Sequence, residues 1–241
     1  MNIFGATDTG TVRSSNQDAF KNTVLDADTV LSVVCDGMGG AKAGNIASSI
    51  AVNTITDYIV KSYTPQMNSH TTENLLRAAI SSANIEIYSA ALENSDYSGM
   101  GTTAVAAIVR NDKAFIAHVG DSRAYLVDDS GLVQITRDHS MVQNLVEEGQ
   151  LTAAEAEIHP RKNVITRAVG VLEEVQADFN EIDMVGKILL ICSDGLTAAL
   201  QPEEIKNITL NNNISDVPEK LIYSANKNGS NDNVTVTVVS K

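Results

Sequence analysis

Lysine and arginine are scarce in this chain: 17 of them stand against 30 acidic residues, for a formal charge of −13 over 241 residues. Nucleic acid is therefore not an expected partner, because binding its backbone relies on Lys and Arg to neutralise phosphates. Long apolar runs are missing as well. None approaches the roughly 18 residues that a membrane span needs, so no membrane association is expected. The start, Met1-Asn2-Ile3-Phe4-Gly5, carries neither a basic patch nor an apolar signal core, which gives a cytoplasmic location as the expectation. Cysteine is limited to Cys35 and Cys192. Both sit inside apolar strand-like runs and read as free core thiols rather than a disulfide or a metal pair. No stretch rich in Pro, Gly or Ser divides the chain, and there is no internal repeat and no Walker-type phosphate loop. One domain over residues 1–241 is expected, with 43% hydrophobic residues suited to a sizeable core.

What is present is organised around Leu31-Ser32-Val33-Val34-Cys35-Asp36-Gly37-Met38-Gly39-Gly40. A short apolar strand stops on a carboxylate and turns on glycines, which let the backbone come close to whatever the carboxylate holds. The device recurs where Ala114–Val119 leads to Gly120-Asp121 and where Ile188–Cys192 leads to Ser193-Asp194. Further strands are expected at 2–9, 19–25, 102–110, 122–127, 132–135, 175–182 and from Asn231 to Val239, with Asn111-Asp112 and Asp128–Gly131 as hairpin turns. Apolar spacings of three and four predict helices at 43–62, 71–93, 139–148, from Leu151 with Thr152 as cap, 202–209 and 215–227. Hairpin-linked strands with helices inserted in pairs point to an α+β fold: two stacked, mainly antiparallel sheets flanked by helices.

Asp36, Asp121 and Asp194 are expected to end strands, while Asp18 and Asp232 precede them. In antiparallel neighbours the end of one strand lies beside the start of the next, so all five can gather at one edge of such a sandwich. Carboxylates brought together repel and take up protons unless compensated. Hard dications are the usual compensation, and oxygen donors suit Mg²⁺ or Mn²⁺. A dinucleotide site at Gly37-Met38-Gly39-Gly40 is disfavoured. Lys42 stands at the third glycine position, Asp36 would repel a pyrophosphate, and the βαβ alternation is missing.

Eight segments occur in order: Arg13-Ser14-Ser15-Asn16-Gln17-Asp18, Cys35–Gly40, Gly101-Thr102-Thr103, Gly120-Asp121-Ser122-Arg123, Thr136–Ser140, Ile165–Gly170, Ser193–Leu196 and Gly229–Thr235. Together they resemble the metal-dependent (type 2C) protein serine/threonine phosphatases in their compact bacterial form. The resemblance implies a four-layer αββα sandwich and a binuclear Mn²⁺ or Mg²⁺ centre, with room for a third ion. Asp36 would be shared by two metals, the Gly37 carbonyl would serve one, and Asp194 and Asp232 the other. Asp18 would act through a water or from behind the direct ligands, and Asp121 would hold the third ion with Asp194. Arg13, which alone reads as a solvated loop cation, matches the family's phosphate-binding arginine. The implied reaction is hydrolysis of phosphoserine and phosphothreonine in proteins by a water bridging the metals, reversing serine/threonine kinase signalling. Phosphorylated proteins, including a kinase and its substrates, are the implied partners, and a monomer is expected.

The chain departs from the family at two positions. Some members carry Glu where Gln17 stands, and some carry a His, the suggested general acid, where Met38 stands. A thioether cannot donate a proton. The leaving group's proton must then come from a metal-bound water, from His139 or from solvent, and a cap-region role suits His139 equally. His70, His118 and His159 read as structural or exposed. The segment at about 141–166 matches the family's flap, so substrate selection is expected there. Glu147-Glu148 and Arg161-Lys162 are its candidate polar contacts, or simply a solvated helix pair. A partner-binding scaffold that has lost catalysis is disfavoured, since Arg13, Asp36, Asp194 and Asp232 are all present.

Overall fold

Strand β3 (Thr29–Met38) explains why so much of the sequence reads as unbroken apolar runs. Its residues Leu31, Val33 and Cys35 pack on one side, in a core shared with helices α1 (Gly40–Ser62) and α2 (Ser69–Glu93). Its alternate residues Val30 and Val34 point the other way, into a second core with Leu189, Ile191 and Val239. A strand covered on both faces has no solvent side, so period-two alternation disappears from its sequence. The computed structural model describes the backbone of residues 1–241 and the side chains of residues 1–39 and 43–241, so Lys42 lies outside the described side chains.

The first sheet runs β2 (Asp18–Asp26), β3, β5 (Ala104–Arg110), β6 (Lys113–Val119), β9 (Asp178–Asp183), and the short β4 (Gly101–Thr102) pairs with the end of β3. The second runs β1 (Asn2–Asp8), β11 (Val234–Ser240), β10 (Ile188–Cys192), β7 (Arg123–Asp128), β8 (Gly131–Gln134). Every neighbouring pair is antiparallel. Helices α6 (Pro202–Leu210) and α7 (Val217–Lys227) bury Ile205, Val217, Leu221 and Ala225 against Leu190, Val236 and Val238 of the second sheet. The order is therefore helices, sheet, sheet, helices, as expected for an αββα sandwich. Cys35 and Cys192 are buried in different helix-facing cores and are both free thiols. Among the described residues no helix is long and apolar enough to cross a membrane.

Local chemistry sets the element ends. Asn68 accepts a hydrogen bond from the Thr71 amide and starts α2. Thr152 and Glu155 form a reciprocal capping box at the start of α4 (Ala153–Glu157). Asn111 and Asp112 both take positive φ, at 48° and 62°, the backbone that a tight hairpin between β5 and β6 requires.

Several boundaries differ from the sequence reading. The strand expected at 102–110 breaks at Thr103, which turns away to bond the backbone of Asp36. The helix expected at 139–148 is α3 (Met141–Glu147), because Ser140 caps it by accepting from the Gln143 amide. β9 begins at 178 instead of 175, the preceding Val175-Gln176-Ala177 running without sheet partners, and β11 at 234 instead of 231, since polar Asn231-Asp232-Asn233 precede it. A four-residue helix, α5 (Asp194–Thr197), and a short 3-10 turn at Ser95–Tyr97 have no periodic signature and went unread.

Ile191 lies fully buried in the core between the two sheets. Ile191→Ala is expected to destabilise the fold by about 2–5 kcal/mol in urea titration. Val133→Ala, on an exposed edge position of β8, should stay within about 0.5 kcal/mol. Equal effects at the two positions would contradict this layering.

Candidate metal centre

The register of the first sheet puts Asp18 of β2 directly opposite Asp36 of β3. Asp36 does not end its strand: β3 continues through Gly37 and Met38, which pair with Thr102 and Gly101. That extension fixes the carboxylate's backbone on both sides. The Asp36 amide donates to Thr103 Oγ1 at 2.9 Å, and its carbonyl accepts from the Thr103 amide and from Thr102 Oγ1, each at 2.8 Å. Thr103 Oγ1 meets Ser122 Oγ at 2.7 Å, which couples Asp36 to the turn carrying Asp121. Gly37 donates to the Gln17 carbonyl at 3.0 Å. A Cβ on Gly37 would run into the Gly44 carbonyl of α1, so only glycine lets helix, strand and loop meet there.

Asp121 stands two residues beyond β6, on a turn where Gly120 has a φ of +101°. Asp194 opens α5 instead of closing a strand. Its neighbour Ser193 is bonded both ways to Thr235 of β11 and donates through Oγ to Asp18 Oδ2 at 2.7 Å. One hydroxyl thus ties the two sheets at the carboxylate cluster. Asn233 performs the same service for the loop that carries Arg13. It accepts from the Gln17 amide at 2.8 Å and donates to the carbonyls of Thr9 and Ser15, at 2.8 and 3.0 Å.

Arg13, Asp36, Gly37, Asp121, Asp194 and Asp232 all line one open pocket of about 520 Å³, with Met38, Thr103, Asn163 and Ile165 among its other walls. Asp18 does not line it but lies behind Asp36, buried. Arg13 Nη2 donates to Asp232 Oδ2 at 2.7 Å at the exposed rim. Asn163, Thr103, Ser193 and Asn233 are site residues that the sequence reading did not single out. Thr103, Ser193 and Asn233 do fall inside the ordered segments quoted above, whereas Asn163 had no signal.

The electrostatics are those of a crowded anionic cluster. Burial, then Asp18, Asp194 and Asp121, push the Asp36 carboxyl well above the usual range. Burial raises Asp18 to about 6, against the opposing hydrogen bond from Ser193. Burial and Asp194 raise Asp121 to about 7. Asp194 is raised by burial and by Asp232, with the nearby Asp36 carboxyl opposing the shift. Asp18 Oδ1 and Asp194 Oδ1 are buried with no hydrogen-bond partner. Oxygen donors left unpaired in a cluster that resists ionisation fit a hard dication such as Mg²⁺ or Mn²⁺.

The histidines lie elsewhere. His139 is buried outside the pocket. Its Nδ1 accepts from the Gly120 amide at 3.1 Å, which leaves the ring proton on Nε2, 3.2 Å from Asp178 Oδ2. Burial lowers its pKa to about 4, so it is neutral near pH 7 and holds the turn that presents Asp121. The general-acid reading of His139 is thereby set aside. His118 stacks on it at 4.8 Å and bonds the Arg137 carbonyl. His118, His139 and Asp178 place candidate ligand atoms within 4.8 Å of one another. The Arg167 guanidinium already fills that spot, 2.7 Å from Asp178 Oδ1 and 3.1 Å from His139 Nε2. His70 is exposed and His159 half-buried.

The family model described as protein phosphatase 2C matches residues 10–226. A serine/threonine phosphatase of Listeria monocytogenes is 38% identical over 240 residues, covering 98% of this chain and 94% of the relative. The crystal structure of a serine/threonine phosphatase from Staphylococcus aureus superposes with a TM-score of 0.93 at 38% identity, over 99% of this chain and 94% of that one. The catalytic domain of the serine/threonine protein phosphatase PstP, solved with 2 manganese ions, superposes with a TM-score of 0.85 at 32% identity, over 98% of this chain and 96% of that one.

In the unfolded chain these carboxyls ionise near their ordinary values, whereas folded Asp18 and Asp121 hold their protons to about 6 and about 7. Raised folded values mean that stability falls as pH climbs from the ordinary carboxyl range up to about 7. With metals chelated, the melting temperature should decline across that window, and Asp18→Asn should make the decline shallower. Mn²⁺ should raise the wild-type melting temperature more near pH 7 than near pH 5, where protons compete for the same oxygens. A flat chelated profile would contradict the cluster's electrostatics.

Proposed function

The chain belongs to the protein phosphatase 2C family, and from that membership and the converging carboxylates we propose that residues 1–241 act as one catalytic domain that hydrolyses phosphoserine and phosphothreonine in proteins. The observation that carries the reading is the meeting of Arg13, Asp36, Asp194 and Asp232 in one open pocket. A pocket of about 520 Å³ admits a phosphorylated side chain. The metal dependence is a family property, and a structural neighbour holds 2 manganese ions.

Asp36, Asp194, Asp232 and the Gly37 carbonyl would hold two dications, with Asp36 common to both. Asp121 and Asp194 would offer a place for a third, and Asp18 would act from behind the direct ligands. When bound, such ions supply an activated water nucleophile near neutral pH and offset charge on the phosphoryl oxygens. The protein's own share is positioning. Arg13 presents a planar fork that can bind two phosphate oxygens, and Asp232 fixes its orientation through Nη2 at 2.7 Å. The hydrogen bonds from Thr102 and Thr103 hold the Asp36 backbone, so the carboxylate needs no rearrangement when substrate arrives. Met38 has no proton to give, and His139 is neutral and away from the pocket. Leaving-group protonation therefore falls to water. Phosphorylated proteins, among them a serine/threonine kinase and its substrates, are the partners that follow, with action in the cytoplasm.

Asp36→Ala should abolish Mn²⁺-dependent turnover of a phosphopeptide and weaken Mn²⁺ binding in calorimetry. If that variant kept normal metal-dependent activity, the proposed chemistry would be wrong. Arg13→Ala should raise KM for the phosphopeptide by about tenfold while metal-induced thermal stabilisation persists.

A further inference from the structure

A second cavity, of about 350 Å³, adjoins the metal pocket, and Met38 and Ile165 form walls of both. Its other side is the loop that follows Ala168, where Val171 and Leu172 are 41% and 68% exposed. Together with Met38, Ile165 and Val175 they give the groove an apolar lining. The loop is also built to hold its shape. Buried Asn84 of α2 spends its whole amide on it, accepting from the Gly170 amide at 2.6 Å and donating to the carbonyls of Leu172 and Glu173 at 2.9 Å. Gly170 has a φ of +89°, and a Cβ there would strike Ile87. Val169 bridges to Thr102, the residue that bonds the Asp36 carbonyl, so the groove is tied to the backbone of the metal site.

Charge narrows the occupant. Arg167 reaches the groove, but Asp178 at 2.7 Å and the Gln176 carbonyl at 2.9 Å already engage its guanidinium. Among the described residues, the exposed Glu173 and Glu174 add negative charge at the edge. An acidic occupant is thus disfavoured and an apolar one has surface to cover.

We infer that this groove is a specificity subsite for the substrate protein, taking an apolar side chain one or two positions from the phosphoresidue, with Val171 and Leu172 as its specificity-determining residues. The inference rests on the phosphatase reading above. Successive residues of an extended peptide lie about 3.3–3.6 Å apart, so a phosphoserine in the metal pocket brings its near neighbours to the shared wall at Met38 and Ile165. Glu173 and Glu174 add discrimination against acidic flanks.

The test is steady-state kinetics with Mn²⁺ on phosphoserine peptides carrying Leu, Gly or Asp at each position from two before to two after the phosphoserine, and on p-nitrophenyl phosphate, which has no flank. The wild type should prefer Leu over Gly by about tenfold in kcat/KM at one of these positions, through KM, and should handle Asp worst. Leu172→Asp and Val171→Ala should reduce that preference to about threefold or less while leaving p-nitrophenyl phosphate turnover within about twofold of wild type. Wild-type indifference to Leu, Gly and Asp at all positions would overturn the subsite. So would an equal loss on every substrate in Leu172→Asp. Absence of Mn²⁺-dependent p-nitrophenyl phosphate turnover by the wild type would overturn the phosphatase reading itself, and the subsite with it.

Discussion

Mutual repulsion among the buried carboxylates is the constraint to which the rest of the structure answers. Two like charges about 4 Å apart repel by about 4 kcal/mol at an effective dielectric of about 20. A domain's net stability is only about 5–15 kcal/mol. Asp18, Asp36, Asp121 and Asp194 therefore cannot all stay ionised together without help. The raised Asp36 and Asp194, the raised Asp121 and the ion pair of Asp232 with Arg13 are three partial answers in the protein alone. Dications held there would answer all of them at once and would meet the unpaired oxygen of Asp194.

Holding anions together demands a scaffold that will not relax. The stacked sheets supply it through three separate apolar cores, one between the sheets and one under each helix layer. Where polar groups enter the inner layer they are matched, as Ser32 Oγ is by Thr237 Oγ1 at 2.8 Å across the sheets and by Asn22 Oδ1 at 2.9 Å. Ser193 makes the corresponding link beside the carboxylate cluster. Both are hydroxyls bonded in a dry interior, where a lost partner leaves a buried polar group unpaired, at about 1–3 kcal/mol. Sheet-to-sheet geometry is fixed by such pairs as well as by packing.

Much of this could be read from the sequence because it is written in local signals. The capping pair Thr152 and Glu155, the Asn111-Asp112 hairpin and the 3.6-residue spacing from Leu75 to Ile87 each depend on neighbours a few residues away. The aspartates were legible for a different reason, as a device repeated at three strand ends and an ordered set of motifs. What was misread depends on partners far along the chain. Gly37-Met38 looks like the start of a turn, but pairing with Gly101-Thr102 keeps it in β3. Thr103 looks like mid-strand until Asp36 and Ser122 claim it. Asn163 and the groove loop after Ala168 reach the site only through tertiary contacts, and neither charge nor periodicity marks them.

The same division separates chemistry from selection. The carboxylates ride on or beside strands whose register is set by the sheets, so their relative positions move only if the sandwich moves. Asn163, Ile165, Val171 and Leu172 lie between β8 and β9, in a segment anchored through Thr166 to the His139 carbonyl at 2.7 Å and through Val169 to Thr102. Those anchors are backbone bonds, indifferent to the side chains the segment presents. Glu147 is paired with Arg137 and so is occupied within this segment instead of reaching toward the pocket. Among the described residues, Asn163, Ile165, Val171 and Leu172 make no hydrogen bond or ion pair to any of the five aspartates, so they can change without disturbing those contacts. On the inferred subsite, a site assembled this way would keep one reaction while a few apolar residues, on a loop that the hydrogen bonds of Asn84 hold in place, set which phosphoprotein it takes.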